Sequence, residues 1–97
     1  MSTPDSQQDL DINHNEQANR FETTLDGQTG YISYQERGDT LVYDHTIVPQ
    51  ALGGRGVGSA LVKHALDYAR KYDKKVVPQC SFVSSYINKH PDYQDLV

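Results

Sequence analysis

The sequence is poor in several residue types, and each scarcity excludes a class of protein. Its 97 residues include one cysteine, Cys80, so no disulfide can form within the chain and a cytoplasmic location is expected. Because no close cluster of His, Asp or Glu accompanies that cysteine, no zinc site is expected. No apolar run is long enough to cross a membrane, and residues 1–5 lack the basic and apolar pattern of a signal peptide.

Basic residues are also scarce relative to acidic ones. Nine Lys and Arg stand against 13 Asp and Glu, which gives a formal net charge of -4 at pH 7. Because proteins that bind nucleic acid usually present a basic face, we expect no nucleic-acid partner. The charge is compatible with a cationic partner such as an amine or a basic peptide. The length allows one domain built on a single sheet with one or two helices, and it leaves the oligomeric state open.

Alternating side chains predict a series of strands after a polar start. Residues 1–9 are polar and are expected to form a disordered lead-in, so the folded domain is expected to span residues 10–97. Asp26-Gly27 is a strong signal for a two-residue hairpin, and Gly38-Asp39 marks the next turn. The predicted antiparallel strands are residues 10–14, 20–25, 30–37 and 40–48. In the last strand, period-two alternation places on one face Leu41, Tyr43, His45 and Ile47.

The pattern changes to helical spacing after the fourth strand. Apolar residues recur every three or four positions over residues 57–72, which predicts an amphipathic helix. Residues 75–78 form a short apolar segment, expected to lie parallel to residues 40–48 through a right-handed crossover. Ser81 is the predicted N-cap of a final helix, which ends before Pro91. The expected fold class is therefore α/β (α+β), with a mostly antiparallel sheet, a crossover helix and a C-terminal helix.

Four glycines crowd the loop between the fourth strand and the crossover helix. Unpaired backbone N–H groups and the positive end of the helix dipole make residues 52–60 a predicted anion site, to which Arg55 would add a charged contact. The P-loop pattern fails because Gly58 is followed by Ser59 rather than by Lys, and the dinucleotide-binding spacing fails as well. The alternative is a connector that binds nothing, although four glycines carry a high cost in chain entropy.

The loop, with the Ile47-Val48-Pro49 segment before it, resembles the acetyl-CoA motif of GNAT acetyltransferases, whose pattern is Gln/Arg-x-x-Gly-x-Gly/Ala. Gly56 and Gly58 match the glycines of that pattern. Gly53 stands where the family has Gln or Arg, so one side chain that the pattern expects is missing.

The resemblance extends beyond the loop. His45-Thr46, Val48-Pro49 and residues 78–83 are similar to a group of very small single-domain GNAT-like proteins, and the similarity covers about residues 11–93. These small relatives lack the helices that full-size GNAT enzymes place between their first two strands. This chain likewise has only a short polar turn there, so the wall that would identify a substrate is missing.

The resemblance implies a minimal GNAT fold, acetyl-CoA as cofactor and transfer of its acetyl group to a primary amine. That amine would be a small amine, a polyamine or a lysine side chain. The pantetheine would align like an added strand along Thr46, Ile47 and Val48. The loop residues implied in cofactor binding are Gly53, Gly54, Arg55, Gly56, Val57, Gly58 and Ser59. Two other hypotheses stay open: an acyl-CoA-binding module without turnover, and a protein-interaction domain that has lost the cofactor.

His45 and Cys80 are the catalytic candidates. In GNAT sheets the thioester lies where the strand before the glycine loop and the next parallel strand separate, and these residues lie near the ends of those two strands. His45 would accept a proton from the attacking ammonium, or else it is a packing residue. Cys80, at a helix start that lowers a thiol pKa, would form an acetyl-cysteine, or else it is a small buried residue. Because most GNAT enzymes transfer directly, we favour direct transfer with Cys80 beside the acetyl group.

The other histidines and one tyrosine have weaker assignments. His14 and His64 are expected at the surface. His90, beside Pro91, is within reach of the cofactor in this fold, but a surface position is favoured. Tyr93 is a candidate for protonating the leaving thiolate, on proximity alone.

Overall fold

The computed structural model describes residues 11–97, so the expected lead-in at residues 1–9, and Leu10, lie outside the described residues. Over that range the chain forms five strands: β1 (Asn13–Asn15), β2 (Arg20–Leu25), β3 (Gln28–Arg37), β4 (Thr40–Ile47) and β5 (Lys75–Pro78). It also forms two α-helices, α1 (Val57–Lys71) and α2 (Ser81–Lys89), and 3₁₀ segments at Gln50–Leu52 and Pro91–Leu96.

The strands are ordered β1-β2-β3-β4-β5 in one sheet; β4 and β5 are parallel and all other neighbours are antiparallel. The predicted fold class is confirmed. None of the helices within residues 11–97 has the length and apolar character needed to cross a membrane.

The hairpin between β2 and β3 forms at the predicted dipeptide. Asp26 and Gly27 have φ angles of 53° and 77°, as a tight hairpin turn with two left-handed residues requires. The register pairs Phe21 with Ile32, and both side chains are fully buried on the same face of the sheet. Alternation along β2 and β3 therefore separates one apolar face from one polar face.

Both helices pack on the same face of the sheet. Phe21, Ile32 and Leu41 from the strands join Leu61 of α1 and Val83 of α2 in one buried cluster. The Tyr43 hydroxyl crosses this core to donate a hydrogen bond to the Ala65 carbonyl at 2.6 Å, which satisfies a buried polar group. Within residues 11–97 no element packs on the other face, which we call the bare face.

A β-bulge in β4 overturns the expected alternation. Tyr43 pairs with Tyr34 and His45 pairs with Ser33, which leaves Asp44 without a partner in the register. One extra residue exchanges the two faces for everything that follows it. The prediction that Leu41, Tyr43, His45 and Ile47 share a face is therefore wrong: the first two are buried under the helices, whereas His45 and Ile47 are exposed on the bare face.

Hydrogen bonds hold the bulge in place on the bare face. The Ser33 hydroxyl donates to one carboxylate oxygen of Asp44 at 2.6 Å, and the Gln35 amide donates to the other at 3.3 Å. Although partial burial raises the pKa of the Asp44 carboxyl, these hydrogen bonds outweigh that effect and leave it below its usual value. The bulged residue is thus charged and anchored at neutral pH.

Two smaller expectations are corrected by the structure. Cys80, not Ser81, is the N-cap of α2, and Ser81 is its first helical residue. His14 is not a surface residue: its ring stacks on Phe21 with centroids 4.4 Å apart, and its Nε2 lies 2.5 Å from the Tyr34 hydroxyl. A polar sequence neighbourhood conceals this packing, because β1 brings His14 over the edge of the core. His64 is exposed, as expected.

Candidate functional site

β4 and β5 separate at the point where the site is built. Their parallel pairing ends at Tyr43 and Pro78, whereas β4 continues to Ile47 with β3 as its partner. The Cys80 N–H closes the junction by donating to the Tyr43 carbonyl at 3.0 Å. The separation that the sequence resemblance implied is present, and α2 starts directly at its mouth.

The glycine loop turns β4 into α1 with two left-handed residues. Gly54 and Gly56 both have φ angles of 78°, a conformation that other residues adopt at a cost of roughly 1–2 kcal/mol. Gly56 is the N-cap of α1, and the Ala60 N–H donates the first helical hydrogen bond to its carbonyl at 3.0 Å. The N–H groups of Val57, Gly58 and Ser59 come before this first helical donor in the chain. The helix itself therefore offers them no carbonyl acceptor.

The loop encloses one side of a cleft of about 350 Å³. Its lining combines Val48 and Pro49 at the end of β4, the start of α1, and Phe82 of α2. Gly54 and Gly56 have open space where a side chain would project. The cleft therefore combines exposed backbone, aligned amides and room for an anion, which are the requirements of a phosphate site.

Gly58, one of the glycines of the motif, has a packing role in the structure. A Cβ at this helical position would lie 2.7 Å from the Phe82 ring, a distance that real Cβ atoms essentially never show. The glycine allows α2 to pack closely on the first turn of α1. The two helix starts are held together by this contact, and the cleft lies beside it.

Arg55 is occupied by another partner in this structure. Its guanidinium contacts the Asp26 carboxylate in the β2–β3 turn at 2.8 Å, and both side chains are substantially exposed. Exposed pairs of this kind contribute about 0–1 kcal/mol, so the pair is easily exchanged for a phosphate. The contact of Arg55 with a phosphate stays a prediction.

Cys80 and Thr46 meet on the helix-covered side of the opening. The Cys80 Sγ lies 3.5 Å from the Thr46 hydroxyl oxygen. Burial alone raises the pKa of the Cys80 thiol, but the Thr46 hydroxyl and the nearby amides of Phe82 and Val83 outweigh it and lower that pKa below its ordinary value. The direction is the one that a reactive thiol requires. The sequence resemblance identified Thr46 for its backbone alone; its side chain reaches Cys80 because of the bulge.

His45 lies on the opposite side of β4. Because it alternates with Thr46 beyond the bulge, its side chain is exposed on the bare face, next to Asp44. The structure thus brings Thr46 and Cys80 together and leaves the His45 side chain on the other surface of the same strand. The two predicted catalytic residues lie on different sides of the opening.

Tyr93 and His90 occupy places other than the cleft. Tyr93 is buried and donates to the Asp67 carboxylate at 2.7 Å; burial, with Asp67, raises its pKa well above the usual value. Its hydroxyl lines no part of the cleft, so the proximity on which a role in proton transfer depended is absent. His90 stacks on Tyr86 with centroids 4.1 Å apart and lines a separate groove.

Within residues 11–97, no three His, Cys, Asp or Glu side chains are grouped as metal ligands. The groups that the candidate site offers to a ligand are therefore the backbone amides at the start of α1 and the side chains of Thr46, Cys80 and His45.

Comparisons with known proteins agree with this geometry. A family model described as GCN5-related N-acetyl-transferase matches residues 20–96. The chain is 31% identical over 83 residues to Protein NATD1 of Mus musculus, covering 82% of this chain and 76% of that protein. For Protein NATD1 of Homo sapiens the identity is 30%, with 82% and 74% covered. The NMR solution structure of a GCN5-like protein from Staphylococcus aureus superposes with a TM-score of 0.71 at 33% identity, covering 90% of this chain and 86% of that one.

Proposed function

Because the chain belongs to the GCN5-related N-acetyltransferase family, we propose that it binds acetyl-CoA and transfers the acetyl group to a primary amine. The observation that supports this most directly is that the glycine-loop cleft includes Val48, directly after the end of β4, the strand that separates from β5. A phosphate site at one end and an unpaired strand edge with a thiol at the other suit a long phosphorylated thioester. The acceptor is a small amine, a polyamine or a lysine side chain.

The cofactor pyrophosphate would lie at the start of α1. The amides of Val57, Gly58 and Ser59 would donate to its oxygens, and the left-handed Gly54 and Gly56 would let the backbone approach closely. The role of Gly53 is restricted to the backbone, and Arg55 would join only by leaving Asp26. When bound, the cofactor supplies an acetyl group activated as a thioester.

The pantetheine arm would run along the free edge of β4. Among residues 11–97 no strand pairs with this edge beyond Tyr43, so backbone groups of Thr46, Ile47 and Val48 would offer strand-like hydrogen bonds. This path leads toward the Thr46 hydroxyl and the Cys80 thiol. The reactive carbonyl would thus lie in the opening itself, between the helix-covered side and the bare face.

The acceptor amine would approach from the bare face. His45 lies there beside the opening and would take the proton that the attacking ammonium must lose. The transfer would join the amine nitrogen to the acetyl carbon and break the C–S bond. Of the two protons that the ammonium loses, His45 would take one and the departing sulfur would take the other. Cys80 would lie beside the acetyl group without forming a bond to it, in a direct transfer. Its lowered pKa supports the alternative in which Cys80 carries the acetyl group first.

A binding module without turnover is the second candidate. The observation in its favour is the bare face: within residues 11–97 no helix covers it, so no wall positions an acceptor amine. Both candidates predict that acetyl-CoA binds, and they differ in whether an amine causes thiol release.

Two measurements test the proposal. Acetyl-CoA at about a hundred times its dissociation constant should stabilise the fold by about 2.7 kcal/mol. For a domain of this size, that stabilisation raises the melting temperature by on the order of 10 °C or more. Thiol release should then depend on an added amine, measured over a panel of small amines, polyamines and lysine peptides. A cofactor-induced thermal shift with no amine-dependent release would favour the binding module. No thermal shift at all would refute both candidates and leave the protein-interaction domain.

A further inference from the structure

One carboxylate of the sheet lacks a cationic partner among residues 11–97. The strands contain three acidic residues, Glu22, Glu36 and Asp44. The first two form ion pairs with Arg20 and Lys74. Over the same described range, Asp44 forms no ion pair. Because carboxylates that are partly withdrawn from water are usually paired, Asp44 offers its charge to a cation from outside the chain.

Neutral donors fix the position of the Asp44 carboxylate. The Ser33 hydroxyl donates to one oxygen and the Gln35 amide to the other, and the backbone N–H of Asp44 also contributes. Arg37 donates to the oxygen of the same Gln35 amide at 2.7 Å, so the amide is oriented by Arg37 and separates it from the carboxylate. A carboxylate has about four acceptor positions, so capacity for a further donor remains.

The bulge places this carboxylate directly beside His45. Both side chains lie on the bare face, and consecutive Cα atoms are about 3.8 Å apart. Asp44 is one residue further than His45 from the end of β4, where the opening lies. An amine held at His45 would therefore have a fixed negative charge behind it, within reach of a second cationic group on a short carbon chain.

We propose that Asp44 binds a second ammonium group of the acceptor, so that the acceptor is a short aliphatic diamine or polyamine. The inference rests on the proposed function, because His45 must hold the reacting amine. No helix of the described residues covers the bare face, so the charge of Asp44 would replace the missing wall as the means of selection. A single lysine side chain carries no second ammonium at a fixed distance and gains nothing from this contact.

Three acceptors of similar size test the proposal on the unaltered protein: 1,4-diaminobutane, 4-amino-1-butanol and n-butylamine. They differ in whether the second end is cationic, neutral and polar, or apolar. With saturating acetyl-CoA, thiol release should give a kcat/KM for the diamine about tenfold above that for the other two, as expected for one partly exposed charge-assisted contact. The preference should arise mainly in KM and should shrink as salt is raised.

Asp44→Asn tests the residue itself. The amide retains the size of the side chain and an acceptor for Ser33 but removes the charge, so the ratio of diamine to aminobutanol kcat/KM should fall to about one. Glu22→Gln is the matched control, because Glu22 also lies in a strand on the bare face but is paired with Arg20. It should leave the ratio unchanged. Circular dichroism and CoA calorimetry check that both variants are folded and bind cofactor.

The outcomes separate this inference from the function on which it rests. If the unaltered protein uses the three amines equally well, or if the preference survives Asp44→Asn, the assignment of Asp44 is wrong and the transfer reaction stands. An equal loss of activity toward the diamine and the aminobutanol in Asp44→Asn would also contradict it, because Asp44 would then only hold the bulge or position His45. If no amine releases thiol from the unaltered protein, the acceptor site and the proposed transfer fail together.

Discussion

The two sides of β4 beyond its bulge differ in how they are built. On the helix-covered side, the site consists mainly of backbone: amides at the start of α1, left-handed glycines and the N-cap position at Cys80. On the bare face it consists of exposed side chains, His45 beside the anchored Asp44. Backbone groups are held by the fold itself, whereas exposed side chains are free to vary. Under the proposed function, cofactor binding would follow from the architecture, whereas the handling of the acceptor would depend on a few side chains.

The backbone side of the site is tested by a substitution at one glycine, for which the largest effect is expected. Gly56→Val should abolish measurable CoA binding while the protein stays folded, because valine disfavours a φ of 78° and its side chain would project into the open cleft. Calorimetry measures the affinity, and circular dichroism checks the fold.

Gly38→Val is the matched control for this substitution. Gly38 also has a left-handed φ, 61°, and open space around it, but it lies in the β3–β4 turn. It should cost similar stability and leave CoA affinity unchanged. Equal CoA binding by the two folded variants would mean that the loop is not the phosphate site.

His45→Ala tests the bare face. If His45 is the general base, turnover should fall by about 10²- to 10⁴-fold, while CoA affinity is nearly unchanged because the side chain lies away from the helix-covered side. Steady-state rates with an accepted amine, compared with calorimetry, measure the two effects separately. His64→Ala, at an exposed histidine on α1, should leave turnover unchanged. Retention of full activity by His45→Ala would assign His45 no part in the transfer.

Cys80→Ser distinguishes the two transfer routes on the helix-covered side. Under direct transfer it should change turnover by a few-fold at most, because serine is nearly isosteric and the amine attacks the thioester itself. Mass spectrometry after incubation with acetyl-CoA alone should then show no acetyl group on Cys80. An acetylated Cys80 that passes its group to an added amine at the rate of turnover would overturn the direct route.

The smallest expected effect concerns the contact between Thr46 and Cys80. Thr46→Val removes the hydroxyl that favours the thiolate, so the pKa of Cys80 should rise toward its ordinary value. The rate of iodoacetamide alkylation, followed against pH, should shift to higher pH. Thr46→Ser keeps a hydroxyl and should retain the lower pKa. An identical profile in Thr46→Val would show that backbone amides, those of α2 and of Thr46, set the reactivity without the hydroxyl.

Much of the fold was predictable because local signals agreed with one another. Asp26-Gly27 formed the predicted hairpin turn, and helical spacing and apolar alternation placed α1 and β5 close to their observed bounds. The N-cap of α2 was misplaced by one residue, since Ser81 is the better capping residue by type but Cys80 has the extended backbone of a cap. Local preference is a weak guide where the neighbouring strand sets the backbone.

The face of the sheet on which each residue of the candidate site lies could not be predicted in the same way. Period-two counting assigned His45 to the buried face because it assumes that no residue is inserted in the ladder. The pairing of Ser33 with His45 and of Tyr34 with Tyr43 inserts Asp44, and only the partner strand reveals it.

The sequence by itself determined the order of elements, the turn positions and the glycine loop that opens α1, because these depend on neighbours within a few residues. Only the tertiary structure decided which side of β4 each side chain occupies and that Thr46 meets Cys80 across 34 positions of the chain. The physical reason is the sheet. A strand has two equivalent faces until its partners fix the register, and one bulge then exchanges them for every residue that follows.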